Sequence, residues 1–215
     1  MTEIVSIARD GPLGARAALE RCVTDGEVAV FPADTLYGLA CDPSREDTIE
    51  RINALKDRDP DKPSAVMFFS PLAMRELVST LGSRTRDALG ALLPGPVTVV
   101  VDNPGRLYPA ACGADPQRIG VRLIDGPLAG AKVAILQTSA NRSGEAPPSR
   151  FADVDPDFVD EADLAIDGGE LGGAPSTVVD LTAVDSGGGW SVLREGALGV
   201  AELERRLAGA GVGAG

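Results

Sequence analysis

Short apolar runs alternate with helical stripes along most of the chain. VAVF (28–31), SAVMFF (64–69), VTVVV (97–101), RIGVRLI (118–124), VAILQ (133–137), Asp163 to Ile166 and STVVDL (176–181) have the length and flanking turn residues of strands. VTVVV alternates little, which predicts burial on both faces. Between these runs, Ala15, Ala18, Leu19, Cys22 and Val23 recur at amphipathic helical spacing, and Asp25-Gly26 ends that helix. Ile49, Ile52 and Leu55 form a second stripe of about two turns, preceded by Ser44 and Asp47 at the spacing of a capping signal. Ser70-Pro71 predicts a helix reaching about Ser79. Ser83 caps another, to about Leu92, and Pro94-Gly95-Pro96 stops it. A short helix at Pro156 to Val159 and a final one at Val200 to Leu207 complete the set. The SGGG before Trp190 predicts a hairpin between STVVDL and WSVLREG. Interleaved strands and helices define an α/β chain, and no linker or repeat separates two cores. Residues 1–208 are expected to form one domain, with the Gly/Ala-rich tail 209–215 disordered because it has nothing to bury.

Composition narrows the chemistry. A net charge of -12 over 215 residues weighs against broad affinity for nucleic acid, so any RNA contact would be weak and local. No apolar run approaches the ~20 residues that span a bilayer, and MTEIVSIARDG lacks a signal layout. A cytoplasmic protein without membrane contact is expected. Cys22, Cys41 and Cys112 are widely spaced and read as small buried hydrophobes. The chain has no histidine, which excludes Ser-His-Asp and Cys-His catalysis and His-ligated zinc. What remains is chemistry by positioning and charge stabilisation, using Lys, Arg, hydroxyls and carboxylates.

Six places along the chain offer such groups. VAVF breaks at Pro32 into the polar turn PADT, with Asp34 and Thr35. Lys56, Arg58 and Lys62 follow at and beyond the end of the second helix. They read either as an anion clamp for phosphate or carboxylate or as a solvated charged loop, and the helix dipole alone accounts for Lys56. Arg122 interrupts an apolar strand, which fits a core-edge ion pair or an arginine reaching a bound anion. TSANRSGEAPPS follows a buried strand and places Thr138, Ser139, Asn141, Ser143 and Ser149 where ligand loops of open α/β sheets sit. Ser176 opens a later strand, and Arg194 stands at the exit of the last.

Taken in order, FPADTLYGL, KDR with DKP, PGPVTVV, GVRL, TSANRSG, PSTVVDL and LREG, spanning Val28 to Gly196, resemble the YrdC-like family of threonylcarbamoyl-AMP synthases. The resemblance implies a twisted mixed sheet flanked by helices, with a large positively lined cavity. It implies condensation of L-threonine, bicarbonate or CO2, and ATP to threonylcarbamoyl-adenylate and pyrophosphate, the product passing to a separate transferase that modifies adenosine 37 of tRNA. Lys56, Arg58 and Lys62 would then clamp the ATP phosphates, with Lys56 and Arg58 as the catalytic cations. Ser139, Asn141, Ser149 and Arg194 would complete the nucleotide site, and Thr35, Arg122 and Ser176 would hold threonine. Mg2+ would arrive with ATP, held by phosphate oxygens and water, while Asp34 would cap its own turn. Two departures stand out: a short segment between Arg122 and Thr138, expected to alter one cavity wall, and Met67 where many relatives carry a histidine near the threonine. The single-domain type is expected, without the C-terminal domain that the family's longer branch adds. Two other readings share these residues: an RNA- or ribosome-associated binding protein using the same cavity, and a paralogue that adenylates or carbamoylates another small molecule.

Overall fold

A computed structural model describes residues 1–215. The strands are β1 (Glu3–Ser6), β2 (Ala29–Pro32), β3 (Tyr37–Cys41), β4 (Ala65–Phe68), β5 (Val97–Asp102), β6 (Arg118–Leu123), β7 (Ile135–Ser139), β8 (Leu164–Asp167), β9 (Thr177–Asp180) and β10 (Ser191–Arg194). The helices are α1 (Ile7–Asp25), α2 (Glu46–Leu55), α3 (Arg75–Thr80), α4 (Ser83–Leu92), α5 (Pro156–Glu161) and α6 (Val200–Gly209). All ten strands join one mixed sheet in the order β1-β8-β2-β3-β7-β4-β6-β5-β9-β10. Parallel pairs are β1 with β8, β8 with β2, β4 with β6 and β5 with β9; the others are antiparallel.

The two faces of the sheet are filled differently, and that difference makes the site. On one face Val30, Leu39, Val66, Phe68, Val99, Val121, Leu136 and Val179 join a continuous core with Ile49 and Ile52 of α2, Leu89 and Leu92 of α4 and Leu203 and Leu207 of α6. On the other, Ala29, Phe31, Ala40, Met67, Ile135, Leu164 and Ile166 pack with Ala15, Ala18, Leu19 and Cys22 of α1. That helix lies over β1, β8, β2 and β3. Beyond its reach, Ala65, Thr98, Val100, Gly120 and Val178 line a cavity instead. β5 therefore alternates after all: Val97, Val99 and Val101 are buried in the core, while Thr98 and Val100 face the cavity.

Several boundaries differ from the sequence pattern for local reasons. LYGLAC supplies an unanticipated strand, β3, because PADT is a hairpin turn, closed by the Ala33 N–H donating to the Leu36 carbonyl at 3.1 Å. Ser44 does not cap α2. Arg45 holds the cap position, and the Ser44 N–H donates instead to Asp42 at 2.8 Å. α3 begins at Arg75 because Ser70 caps only a turn, its Oγ accepting from the Ala73 N–H at 3.3 Å. Ser83 is the first helical residue of α4, and Asp185 accepts from the Thr85 N–H at 3.3 Å in the capping role. The short segment 124–134 has no helix. Leu128 and Ala131 are buried in the core beneath α1, so this segment seals that core and leaves the large cavity untouched.

The tail 209–215 packs against the residues that lead into β10. Val212 is buried, the Trp190 N–H donates to the Gly213 carbonyl at 3.2 Å, and the Gly215 N–H donates to the Trp190 carbonyl at 3.0 Å. Ending the chain at Gly209 is expected to cost ~1.5–3 kcal/mol, the value of burying one such side chain. Urea unfolding would show this as a lower midpoint, and an unchanged midpoint would contradict it.

Burial also sets the response to alkali. Cys22 and Cys41 are pushed up to about 12, chiefly by burial, and burial pushes Tyr37 up to about 12 as well. In the unfolded chain the thiols ionise near 9.0 and the phenol near 10.0. The unfolded state then binds fewer protons than the native one, so stability is present below those values and is lost as pH rises through them. Lys56, pulled down to about 8 by burial and by the neighbouring Arg58, acts in the opposite sense, as one group against three. The urea midpoint is expected to fall between pH 9 and 11, on the order of those ordinary values; a rising midpoint would contradict this assignment.

Candidate functional site

The cavity over the uncovered half of the sheet measures about 720 Å³. Strand alternation builds its floor: Arg118, Gly120 and Arg122 are successive same-face positions of β6, and Val100 pairs with Gly120 across β5. Its walls come from the 33–37 hairpin turn, the loop after α2, the loop after β7, and the start of β9 with the end of β10.

Arg122 closes one end. Its guanidinium, almost fully buried, forms an ion pair with Asp34 through Nη2 and donates through Nη1 to Gln137 Oε1 at 3.1 Å, while Nε has no partner. Burial pulls its pKa down, and Asp34 opposes that shift. Asp34 is therefore the arginine's counter-ion, which corrects its expected role as a turn cap. Gly38 makes room for this arrangement: a Cβ there would stand 3.1 Å from Gln137 Nε2 and 2.8 Å from the Thr138 carbonyl oxygen. Met67 is the cross-strand neighbour of Arg122 but lies in the core beneath α1, outside the cavity lining.

The KDR run splits its two cations. α2 ends in a left-handed turn at Asp57 (φ 51°), with the Arg58 N–H donating to the Asn53 carbonyl at 2.9 Å. That reversal sends Arg58 into the cavity, where Nη2 donates to the Pro63 carbonyl at 2.9 Å and the buried Nε lacks a partner. Lys56 goes the other way: it is 3% exposed, does not line the cavity, and donates to the main-chain carbonyls of Ser139 and Asn141. Lys62 is exposed outside the cavity lining. In the loop after β7, Ser139 and Asn141 line the cavity. The Asn141 amide donates to the carbonyls of Arg142 (2.9 Å) and Glu145 (2.8 Å), and its buried Oδ1 has no partner.

A β-bulge places the last arginine. Val192 pairs with core-facing Val179, and a plain period of two would put Arg194 on the same core side. The register shift between Val192 and Arg194 pairs Arg194 with cavity-facing Val178 instead. Arg194 then donates to the Ser176 carbonyl at 2.7 Å and its Oγ at 3.3 Å, and Ser176 Oγ lies 3.0 Å from Thr98 Oγ1. Thr35 lines the same cavity, whereas Ser149 is half-buried and does not.

Seven of the ten sequence-predicted residues thus share one cavity: Thr35, Arg58, Arg122, Ser139, Asn141, Ser176 and Arg194. Lys56, Lys62 and Ser149 stand outside it. Arg118, Asp115 and Gln137 were missed. The signal for Arg118 was present, since RIGVR puts its two arginines two pleats apart on one face. No group of three His, Cys, Asp or Glu side chains could hold a metal ion. Asp115 is the only carboxylate in the lining. No helix is long and apolar enough to cross a membrane.

Fold and site define an α/β protein whose mixed sheet carries a large arginine-lined cavity on one half of one face. It belongs to the Sua5, YciO and YrdC family, whose model, described as "Telomere recombination", matches residues 21–196. The chain is similar to threonylcarbamoyl-AMP synthases of Chromohalobacter salexigens (35% identical over 172 residues, 77% of this chain and 89% of that one) and Pseudomonas aeruginosa (34% over 167 residues, 75% and 89%). Among solved structures, P. abyssi Sua5 complexed with L-threonine superposes with a TM-score of 0.82 at 26% identity, covering 96% of this chain and 60% of that one. E. coli YciO, at 23% identity, shares the fold with a TM-score of 0.78 over 94% of this chain and 100% of its own.

Proposed function

We propose that this protein condenses L-threonine, bicarbonate or CO2, and ATP into threonylcarbamoyl-adenylate and pyrophosphate, for tRNA threonylcarbamoylation by a separate transferase. The observation that carries this reading is that one cavity joins a buried arginine fork, Arg122, to a second cluster of anion donors at Arg58, Ser139 and Asn141. The names of the similar synthases, and the threonine in P. abyssi Sua5, support the choice of substrates.

In this reading Arg122 takes the threonine carboxylate as a guanidinium fork, with Thr35 and Ser176 on the same ligand. Arg58, Ser139 and Asn141 face the phosphates, Lys62 lies at the outer end of the phosphate loop, and Arg194 and Ser149 flank the nucleoside. The threonine amine adds to CO2 to give a carbamate and a released proton. A carbamate oxygen then attacks the α-phosphorus as the bond to pyrophosphate breaks. No protein nucleophile is needed, in keeping with a chain that lacks histidine. Orientation supplies ~7–11 kcal/mol in favourable intramolecular cases. Fixed donors aimed at the leaving pyrophosphate add to it. Magnesium, where bound, would neutralise phosphate charge.

Purified protein is expected to release pyrophosphate from ATP only when threonine and bicarbonate are both present. Release that is unchanged when threonine is left out would refute the proposal.

A further inference from the structure

Lys56 has the burial of a core residue and the chemistry of a site residue, yet the cavity does not include it. We infer that Lys56 is a positioning residue: it fixes the 139–143 loop from behind, through main-chain carbonyls, and touches no substrate. The inference rests on the functional reading above only for what the loop then does.

Three contacts tie the loop to the end of α2. The Lys56 ammonium donates to the Ser139 carbonyl and, at 2.5 Å, to the Asn141 carbonyl, while the Ser143 N–H donates back to the Lys56 carbonyl at 3.3 Å. Nζ also lies 5.9 Å from the Phe158 ring centroid, so apolar surface backs it on a further side. No carboxylate pairs with it, and carbonyl dipoles carry the counter-charge. Two of its three N–H donors are taken by these carbonyls, and the side chain does not line the cavity.

The same contacts explain why a lysine is needed there. Holding the carbonyls of 139 and 141 on the side away from the cavity leaves the side chains of Ser139 and Asn141 facing into it. The loop is closed on its other flank by the Asn141 amide, bound to the carbonyls of Arg142 and Glu145, and Asn141 Oδ1 is left buried and unpartnered. A compact cation with several donors can gather two main-chain carbonyls at once. The left-handed turn at Asp57 separates this anchoring lysine from Arg58, the cation that enters the cavity.

Hydrogen exchange on the ligand-free protein tests the anchor without reference to catalysis. Lys56→Met is expected to speed exchange of the amides in 138–145 by roughly 10- to 100-fold, the equivalent of one lost charge-assisted hydrogen bond, with the central strands unchanged. Lys56→Gln keeps one neutral donor and should give an intermediate increase; it also carries the test if the methionine variant fails to fold. ATP binding to Lys56→Met, Asn141→Ala and the double variant supplies the second readout. Anchoring predicts that the double variant binds about as the Met variant does, because the loss of Lys56 already withdraws Asn141. Unchanged exchange in 138–145, or fully additive losses of ATP affinity, would overturn the inference. A wild-type protein that released no pyrophosphate would refute the synthase reading instead and leave the exchange result standing.

Discussion

Arg122→Gln is expected to lower threonine-dependent pyrophosphate release by roughly 10²- to 10⁴-fold, as the loss of two charge-assisted hydrogen bonds of ~1.5–3 kcal/mol each. Part of any loss would come from unfolding, because removing the guanidinium leaves Asp34 half-buried and unpaired. Breaking a buried pair on one side costs ~3–5 kcal/mol. Adding Asp34→Asn separates the two effects. The double variant replaces the ion pair by two neutral amides, so most of the urea stability should return while activity does not. Arg122→Lys should also fail to restore activity, since an ammonium lacks the fork that binds a carboxylate at two points. A double variant within about threefold of wild-type activity, well inside the loss expected for those hydrogen bonds, would remove Arg122 from the threonine site.

Gly120→Val should leave the fold intact and empty the site of function. A Cβ at Gly120 would meet Thr98 Cγ2 at 3.4 Å, an ordinary contact, and no positive φ is required there. Valine favours strands and glycine weakens them, so stability should hold or rise by ~0.5–1 kcal/mol. The isopropyl group would nevertheless stand on the cavity floor between the side chains of Arg118 and Arg122. A displacement of about 1 Å in reacting groups costs on the order of 10²-fold, and activity is expected to fall at least that far. Unfolding curves and pyrophosphate release on the same sample would show the dissociation. A variant as active as wild type would mean that substrates do not cross this floor.

Much of the architecture was legible because apolar periodicity reports burial directly. The helix through Ala15 and Val23, the core face of β5 and the strand carrying Arg122 all follow from it. β3 escaped because PADT reads equally well as the end of a strand and as a hairpin turn, and nothing local says that the chain doubles back. The contacts of the tail were not legible, because composition says nothing of where Val212 is buried or that the backbone beyond it bonds to Trp190.

The site was legible as a set of residue types but less so as directions. Arg122 left two readings open, an ion pair or an anion ligand; the ion pair with Asp34 is formed, and the guanidinium still borders the cavity. Lys56 and Arg58 are two residues apart in one motif, yet a left-handed residue between them sends them to opposite sides of a loop. Arg194 faces the cavity only because a bulge breaks the strand period. Such reversals depend on backbone conformation, which a spacing pattern does not record.

A crystal structure with a non-hydrolysable ATP analogue and L-threonine tests the central claim most directly. The account predicts both ligands in the 720 Å³ cavity, the threonine carboxylate on Arg122 and the phosphates against Arg58, Ser139 and Asn141, with Lys56 still on the carbonyls of 139 and 141. Threonine bound away from Arg122, or phosphates outside this cavity, would contradict it.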